Sequence, residues 1–256
     1  MSQVARIAIA ADASPGPEPV QWLEDGSPHS PRFKDRYRSR TGGVAQALTV
    51  FVAACGLPQR WRGCEQFTVL ETGFGLGLNF LATWAAWEAD AQRCERLHFV
   101  SVEAYPVAAA DIVRNAQGPE LPGTAEPQLA ARVPALAQEL AQAWPSLQPG
   151  VQQLQFAAGR VCLTLALGDV QPMLAQLDCI ADAVYLDGFS PALNPEMWSH
   201  DMLQALARHC RTGTMLASYS VALGVRESLK ALGFSVCKRP GLPPKRHRLE
   251  ALFSQS

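Results

Sequence analysis

The chain has 256 residues, 48% of them hydrophobic and 18% charged, a balance that supports a large core and excludes general disorder. Its net charge is only -1, so bulk charge announces no nucleic-acid partner, and no apolar run approaches the ~18 residues that span a bilayer. The length suits one α/β domain with decorations, or two small domains.

Met1 to Ala10 lack a basic n-region and an apolar h-region, so no signal peptide is read and a cytoplasmic enzyme is the expectation. Residues 1–31 are rich in Pro, Gly, Asp and Ser, with Gln21-Trp22-Leu23 the strong apolar point, which describes an arm or hairpin. Arg32, Lys34, Arg36, Arg38 and Arg40 then occupy every second position. In an extended conformation these five side chains share one face, whereas a helix would scatter them. Thr41-Gly42-Gly43 opens an apolar stretch, Val44 to Cys55, predicted as a helix ending at Gly56. Residues 1–60 therefore read as an N-terminal arm and helix, and 61–256 as a single α/β domain.

From Phe67 onward strands and helices alternate. Phe67 to Leu70 is a short apolar run of the kind a buried parallel strand shows. A glycine-rich turn follows, then a helix from Leu78 to Ala89 that is apolar nearly all round and so buried on more than one side. Leu97 to Val102 is a second strand, closed by Glu103. Residues 106–149 carry helical Ala/Leu patterns broken by Pro119, Pro122, Pro127, Pro134 and Pro145, an apparent helical insertion with kinks and loops. Gln153–Phe156 and Val161–Leu167 read as a hairpin turning near Gly159, its second arm ending at Gly168-Asp169. Ala183 to Leu186 is a buried strand ending at Asp187, Trp198 to Cys210 a helix, Thr214 to Tyr219 a strand, and Val225 to Leu232 a helix stopped by Gly233. Phe234–Lys238 and Arg248–Ser254 complete the strands. The pattern predicts a Rossmann-like, doubly wound, mostly parallel sheet of seven strands.

The seven cysteines are odd in number, widely spaced and without a C-x-x-C, which speaks against both a disulfide framework and a zinc site. His209 beside Cys210 is a tempting metal pair, but adjacent helical residues point apart, and no metal is assigned. A second basic stretch, Lys238, Arg239, Lys245, Arg246 and Arg248, matches the first in number. Local clusters of this kind bind phosphates even on a neutral protein; the plain alternative is two solvated surface strips.

Ligands of doubly wound sheets bind beyond the carboxyl ends of the strands, near the reversal of strand order. The glycine turn occupies that place as Glu71-Thr72-Gly73-Phe74-Gly75-Leu76-Gly77. Glycines at alternate positions let the backbone approach a ligand where a Cβ would collide, and the next helix offers free N–H groups. A dinucleotide site would need G-x-G-x-x-G, but that third position holds Leu78. The E-x-G-x-G-x-G form resembles motif I of class I S-adenosylmethionine-dependent methyltransferases. Glu71 then meets a cationic methionine amino group, directly or through water, whereas a diphosphate would be repelled. Glu103 ends the second strand, where an acid can bind both ribose hydroxyls. Asp169 ends the next parallel strand, where such enzymes place an acceptor for the adenine amino group. Tyr105, two residues past Glu103, is placed to pack on adenine, or equally in the core or at the rim.

Leu186-Asp187-Gly188-Phe189-Ser190-Pro191-Ala192-Leu193-Asn194-Pro195-Glu196-Met197-Trp198 is the most specific stretch. It resembles the polar-x-x-aromatic loop that many aminomethyltransferases set beside the transferring methyl group. Asn194-Pro195 also reads as a helix cap followed by a first helical residue. An alkyl amine of pKa ~10.4 is mostly protonated at neutral pH, and a carboxylate of pKa ~3.9 is a weak base against it. Asp187 is therefore expected to orient the neutral amine and to stabilise the product ammonium.

Together with Leu97-His98-Phe99-Val100-Ser101-Val102-Glu103, Gly168-Asp169 and Phe33-x-Asp35-x-Tyr37, these motifs resemble the methyltransferase domain of the MnmC/MnmD family, from about Trp22 onward. That resemblance implies methyl transfer from S-adenosylmethionine to the 5-aminomethyl amine of the often 2-thiolated wobble uridine of tRNA. It implies that Glu71, Gly73, Phe74, Gly75, Gly77, Asn79, Glu103, Asp169 and Asp187 hold the donor, with Asp187 catalytic. Phe189, Pro191, Arg36, Arg38, Lys245 and Arg246 are the expected tRNA contacts, with the arm as part of that surface. A chain ending at Ser256 reads as the stand-alone form or an isolated N-terminal half, so no FAD is expected in it and a separate FAD-dependent oxidase would act upstream. Leu76, the tail from Lys238 to Arg248 and the stretch from Ser218 to Arg226 depart from the usual family pattern. Two other readings share the motifs: a methyltransferase of small amines, without need of basic strips, and a non-catalytic tRNA- or protein-binding module with a vestigial site. An NAD(P) enzyme is disfavoured by the glycine spacing.

Overall fold

The computed structural model describes residues 16–40, 42–118, 126–144 and 148–254. The signal-peptide reading at Met1–Ala10 and the breaks at Pro119, Pro122 and Pro145 lie outside these residues, as does Thr41. The arm forms a small antiparallel sheet of β1 (Gln21–Trp22), β2 (Pro28–Ser30) and β3 (Asp35–Arg36). The single basic face expected of Arg32 to Arg40 does not form. A turn interrupts the alternation at Lys34, whose φ is 53°, and β3 has only two residues. Acids then draw the arginines in different directions: Arg32 pairs with Glu18, and Arg36 and Arg40 with Asp25. Arg38 turns inward, buried, with its Nε donating to Asn115 Oδ1 at 2.9 Å.

The next segment begins as α1 (Gly43–Gln46), widens into a π-helical turn over Ala47–Val52, and ends at Gly56 with φ 75°. It buries Val44, Phe51 and Cys55 in the same core as the central sheet.

That sheet is built from β4 (Gln66–Thr72), β5 (Arg96–Glu103), β6 (Gly150–Phe156), β7 (Val161–Leu167), β8 (Ala181–Leu186), β9 (Cys210–Ser218), β10 (Phe234–Pro240) and β11 (His247–Phe253). The helices are α2 (Leu78–Ala89), α3 (Ala109–Ala116), α4 (Pro127–Ala143), α5 (Val170–Leu174), α6 (His200–Ala207) and α7 (Leu223–Ala231). The spatial order is β10-β11-β9-β8-β4-β5-β7-β6. Strands β9, β8, β4, β5 and β7 run parallel, while β6, β10 and β11 are antiparallel to their neighbours. The sheet therefore has eight strands rather than seven. The extra one is β6, the first arm of the 153–167 hairpin, which joins the sheet as its edge strand beside β7. Order reverses at β4, which has β5 on one side and β8 on the other, so the switch point lies at their carboxyl tips.

Both faces of the sheet are covered. On one, Phe80, Leu81 and Trp84 of α2 meet Val133, Leu136 and Leu140 of α4. On the other, Leu203 and Leu206 of α6 and Leu229 of α7 pack over Leu70, Val100 and Val184. Pro134 does not break α4 as expected. The buried face packed on α2 holds the helix across the missing N–H, while Pro127 takes the first-turn place where no such bond is lost. The helix expected from Trp198 to Cys210 is shorter. Pro195–Trp198 form a 3₁₀ turn, and Ser199, not Asn194, caps α6, its Oγ accepting from Met202 N at 3.2 Å. Cys210 already belongs to β9. Among the described residues no helix is long and apolar enough to cross a membrane.

Candidate active site

A cavity of about 520 Å³ opens at the switch point, over the tips of β4, β5, β7 and β8. Its floor is the glycine turn. Gly73 has φ 77° and Gly77, opening α2, has φ 73°, both left-handed. A Cβ on Gly73 would sit 3.2 Å from Gly188 Cα and 3.3 Å from Asp187 O, so this position lets the β4 and β8 tips touch. Gly77 leaves room for the ring of Phe74, itself stacked on Trp144 at 5.5 Å and 21°. Gly73→Ala should therefore strain the backbone by about 1–2 kcal/mol and push the two tips apart. The expected result is roughly tenfold weaker S-adenosylmethionine binding by titration calorimetry. Unaltered affinity would show that this contact does not shape the site.

The acids divide into two kinds. Glu103 is on the wall, its Oε2 accepting from Gly75 N at 2.7 Å and its Oε1 from Tyr105 N at 2.8 Å. Each oxygen keeps a lone pair for a ligand, and burial raises the carboxyl pKa above its ordinary value. Asp169 is also on the wall, at the start of α5, and its side chain makes no cap bond to that helix. Glu71 is different. It is 1% exposed and is not on the wall, so its direct partners are the chain's own side chains, and the contact through water is the expected form that fits this placement. Its oxygens are taken by Asn79 Nδ2 at 2.9 Å and Ser101 Oγ at 2.7 Å. Burial pushes its pKa well up, and Asp187 adds to the rise.

Asn79 is the link between the two kinds. Its Nδ2 also donates to Asp187 Oδ2 at 2.8 Å, so one amide bridges the β4 and β8 carboxyls. Gly188 N donates to Asp187 Oδ1 at 2.9 Å. Burial pushes the Asp187 carboxyl up to about 6, against the opposing pull of Gly188, Asn79 and Lys245.

The loop after Asp187 is held from three sides. Tyr219 Oη donates to Gly188 O at 2.7 Å, Trp198 Nε1 to Phe189 O at 2.8 Å, and Ser190 N to Asp35 Oδ2 at 3.2 Å. Phe189 stacks on Phe33 of the arm at 4.5 Å and 21°, with Tyr37 edge-on at 5.0 Å. Tyr105 packs edge-on against Phe33 at 5.6 Å under the Arg32 guanidinium, which places it at the rim. Arg36, Arg38 and Phe189 reach the cavity wall; Pro191 does not. Lys245 places its Nζ 3.5 Å from the Tyr219 ring centre, and Arg246 is exposed beside it. Sequence reasoning missed the roles of Tyr219, Trp198 and Asn115. Tyr219 follows the tip of a parallel strand, a positional signal, but nothing local marks Trp198 or Asn115. Among the described residues no cluster of His, Cys, Asp and Glu is placed to hold a metal; His209 turns both ring nitrogens to carbonyl oxygens, of Cys179 and Leu174, at 3.0 Å.

A glycine turn at the switch point, with acids at neighbouring strand tips around an open cavity, defines a class I S-adenosylmethionine-dependent methyltransferase. Residues 131–254 match a family described as S-adenosyl-L-methionine-dependent methyltransferase. The chain is 53% identical, over 93% of its length, to the tRNA 5-methylaminomethyl-2-thiouridine biosynthesis bifunctional protein MnmC of Acidovorax sp., and 56% identical, over 92%, to that of Paracidovorax citrulli. The crystal structure of MNMC2 from Aquifex aeolicus superposes over 93% of this chain and 70% of that one, with a TM-score of 0.71 and 27% identity. The chain matches the methyltransferase part of these bifunctional MnmC relatives. It spans 35% of the length of these two curated relatives.

Proposed function

We propose that the chain transfers a methyl group from S-adenosylmethionine to the 5-aminomethyl amine of the wobble (2-thio)uridine of tRNA, giving the 5-methylaminomethyl product. The observation that carries this reading is the Asp187–Phe189 loop, a carboxylate and an aromatic ring on the cavity wall, braced by Asn79, Tyr219 and Trp198. The residues fit the donor. Glu103 and Asp169 offer carboxylate oxygens for hydroxyl and amino groups, and Asp187 offers negative charge near a sulfonium. Asn115 Nδ2, buried without a partner in a side chain on the wall, is a donor for an anionic end such as the methionine carboxylate.

When bound, the donor supplies an electrophilic methyl on sulfur, which the acceptor nitrogen takes with its lone pair. The chain's own contribution is to place and polarise that nitrogen. Asp187, locked by Asn79 and Gly188, accepts an N–H from the neutral amine and stabilises the ammonium that forms. Glu71 and Ser101 hold Asn79 in that orientation from behind. Positioning of this kind accounts for most of the rate. Phe189, with Phe33 and Tyr37, forms an aromatic wall suited to a flipped-out base. Arg36 and Arg246, with Pro191 on the loop, are the outer contacts for the anticodon stem, and Arg38 supports the wall from inside. The enzyme would act in the cytoplasm, downstream of an FAD-dependent oxidase that exposes the aminomethyl group.

The test is nucleoside mass spectrometry of aminomethyl-bearing tRNA incubated with enzyme and S-adenosylmethionine. A gain of one methyl at the wobble nucleoside is expected. The KM for tRNA should rise steeply between low and moderate salt, because phosphate contacts release counterions. Methylation confined to small amines and insensitive to salt would overturn the tRNA assignment.

A further inference from the structure

The β10–β11 turn carries a lysine to Tyr219, the residue that braces the loop after Asp187. The turn is tightly wound: Gly241 N donates to Arg246 O at 3.0 Å and Lys245 N to Leu242 O at 2.9 Å. A Cβ on Gly241 would come within 2.6 Å of Lys245 O, so glycine is required for this winding. Lys245 as a whole residue is exposed, yet its ammonium end is covered by the Tyr219 ring, 3.5 Å from its centre. That distance is a close cation–π contact. The same tyrosine donates its hydroxyl to Gly188 O, one residue beyond Asp187, and its ring meets Trp198 edge-on at 5.9 Å. Tyr219 thus couples the lysine to the loop on which the acceptor nitrogen must rest.

We propose that Lys245 is a positioning residue of the acceptor site, a fixed positive charge that keeps Asp187 ionised and the incoming amine neutral. This rests on the amine-methylating reading above. An amine of pKa ~10.4 attacks only as its unprotonated minority, and an ionised Asp187 alone would favour the ammonium. A lysine held against that loop through Tyr219 offsets that effect, because two neighbouring cations disfavour each other. The groups facing Lys245 are Asp187 after β8, Asp35 on β3 and Tyr219 after β9, with Arg246 next to it on the turn and His247 at the start of β11. Covering by protein pulls the Lys245 pKa below its ordinary value while Asp187 and Asp35 pull the other way, and Lys245 in turn lowers that of Asp187.

Two measurements test this on the full chain. In the first, the Asp187 carboxyl is titrated by ¹³C NMR without donor or tRNA. Lys245→Met should raise its midpoint by about half to one unit, and Lys245→Arg should leave it in place. In the second, single-turnover methylation of aminomethyl tRNA is followed from pH 6.5 to 10. The rising limb should move up by about one unit in Lys245→Met, a roughly tenfold loss near pH 7.5 that alkaline pH restores. Lys245→Arg should follow the wild-type profile. An unmoved carboxyl midpoint would overturn the proposal, as would a Lys245→Met defect that is equal at all pH or confined to the KM for tRNA, the mark of a phosphate contact. A wild-type enzyme inactive on aminomethyl tRNA would instead sink the functional reading, and the carboxyl titration would still report on Lys245.

Discussion

Asp187→Asn is expected to lower the rate of methyl transfer by about 10²–10⁴-fold while weakening S-adenosylmethionine binding by no more than roughly tenfold. The substitution keeps the size of the side chain and an oxygen for the Gly188 N–H, which holds Oδ1 at 2.9 Å in the native site. What it removes is the charge, and with it the oxygen that accepts from Asn79 at 2.8 Å. A neutral amide can still take an N–H from the acceptor, so a defect limited to geometry would be small. A neutral amide cannot stabilise an ammonium as it forms, so a charge-based role predicts a loss in the chemical step. Single-turnover kinetics at saturating donor and tRNA separate the two. Turnover within threefold of wild type would remove Asp187 from the mechanism and leave it as a brace for the loop.

How much of this site was legible in the sequence follows from the range of the interactions. The glycine turn was readable because the need for a left-handed backbone at Gly73, Gly75 and Gly77 is local. The strand-end acids Glu103, Asp169 and Asp187 were readable because short apolar runs end where the chain leaves the core. The same logic identified hairpin 153–167 but not its place on the sheet edge, which depends on what β7 pairs with. The failures are long-range. Glu71 sits beside the glycines, a local signal for a ligand contact, while its partners Asn79 on α2 and Ser101 on β5 are set by the fold. Alternation at Arg32 to Arg40 suggested one basic face. Glu18, Asp25 and Asn115, none adjacent in sequence, dispersed it. Tyr219 reaches Gly188 across 31 residues, and Lys245 reaches Tyr219 from beyond α7 and β10; periodicity has no access to either.

The bridged carboxyl pair also makes donor affinity depend on pH, and the sign can be worked out. Burial holds Asp187 near 6 and Glu71 well above its ordinary value, so the donor-free site retains protons that a solvated carboxyl would have lost. The methionine sulfonium with its ammonium and carboxylate carries net positive charge, which favours ionised Asp187. Binding must therefore lower the apparent pKa of the pair, which is a release of protons, and by linkage affinity must fall as pH drops through about 6. If the shift is about one unit, the total loss between pH 8 and pH 4.5 is about tenfold, followed by a plateau once both states are protonated. Calorimetry in two buffers of different ionisation enthalpy should find fractional proton release near pH 6 and almost none at pH 8. Asp187→Asn closes the cycle: a permanently neutral side chain should bind the donor with the low-pH plateau affinity at every pH. A variant that keeps the wild-type dependence would move the titration to Glu71. A wild-type affinity flat from pH 4.5 to 8 would mean that the donor's charge does not reach this carboxyl pair.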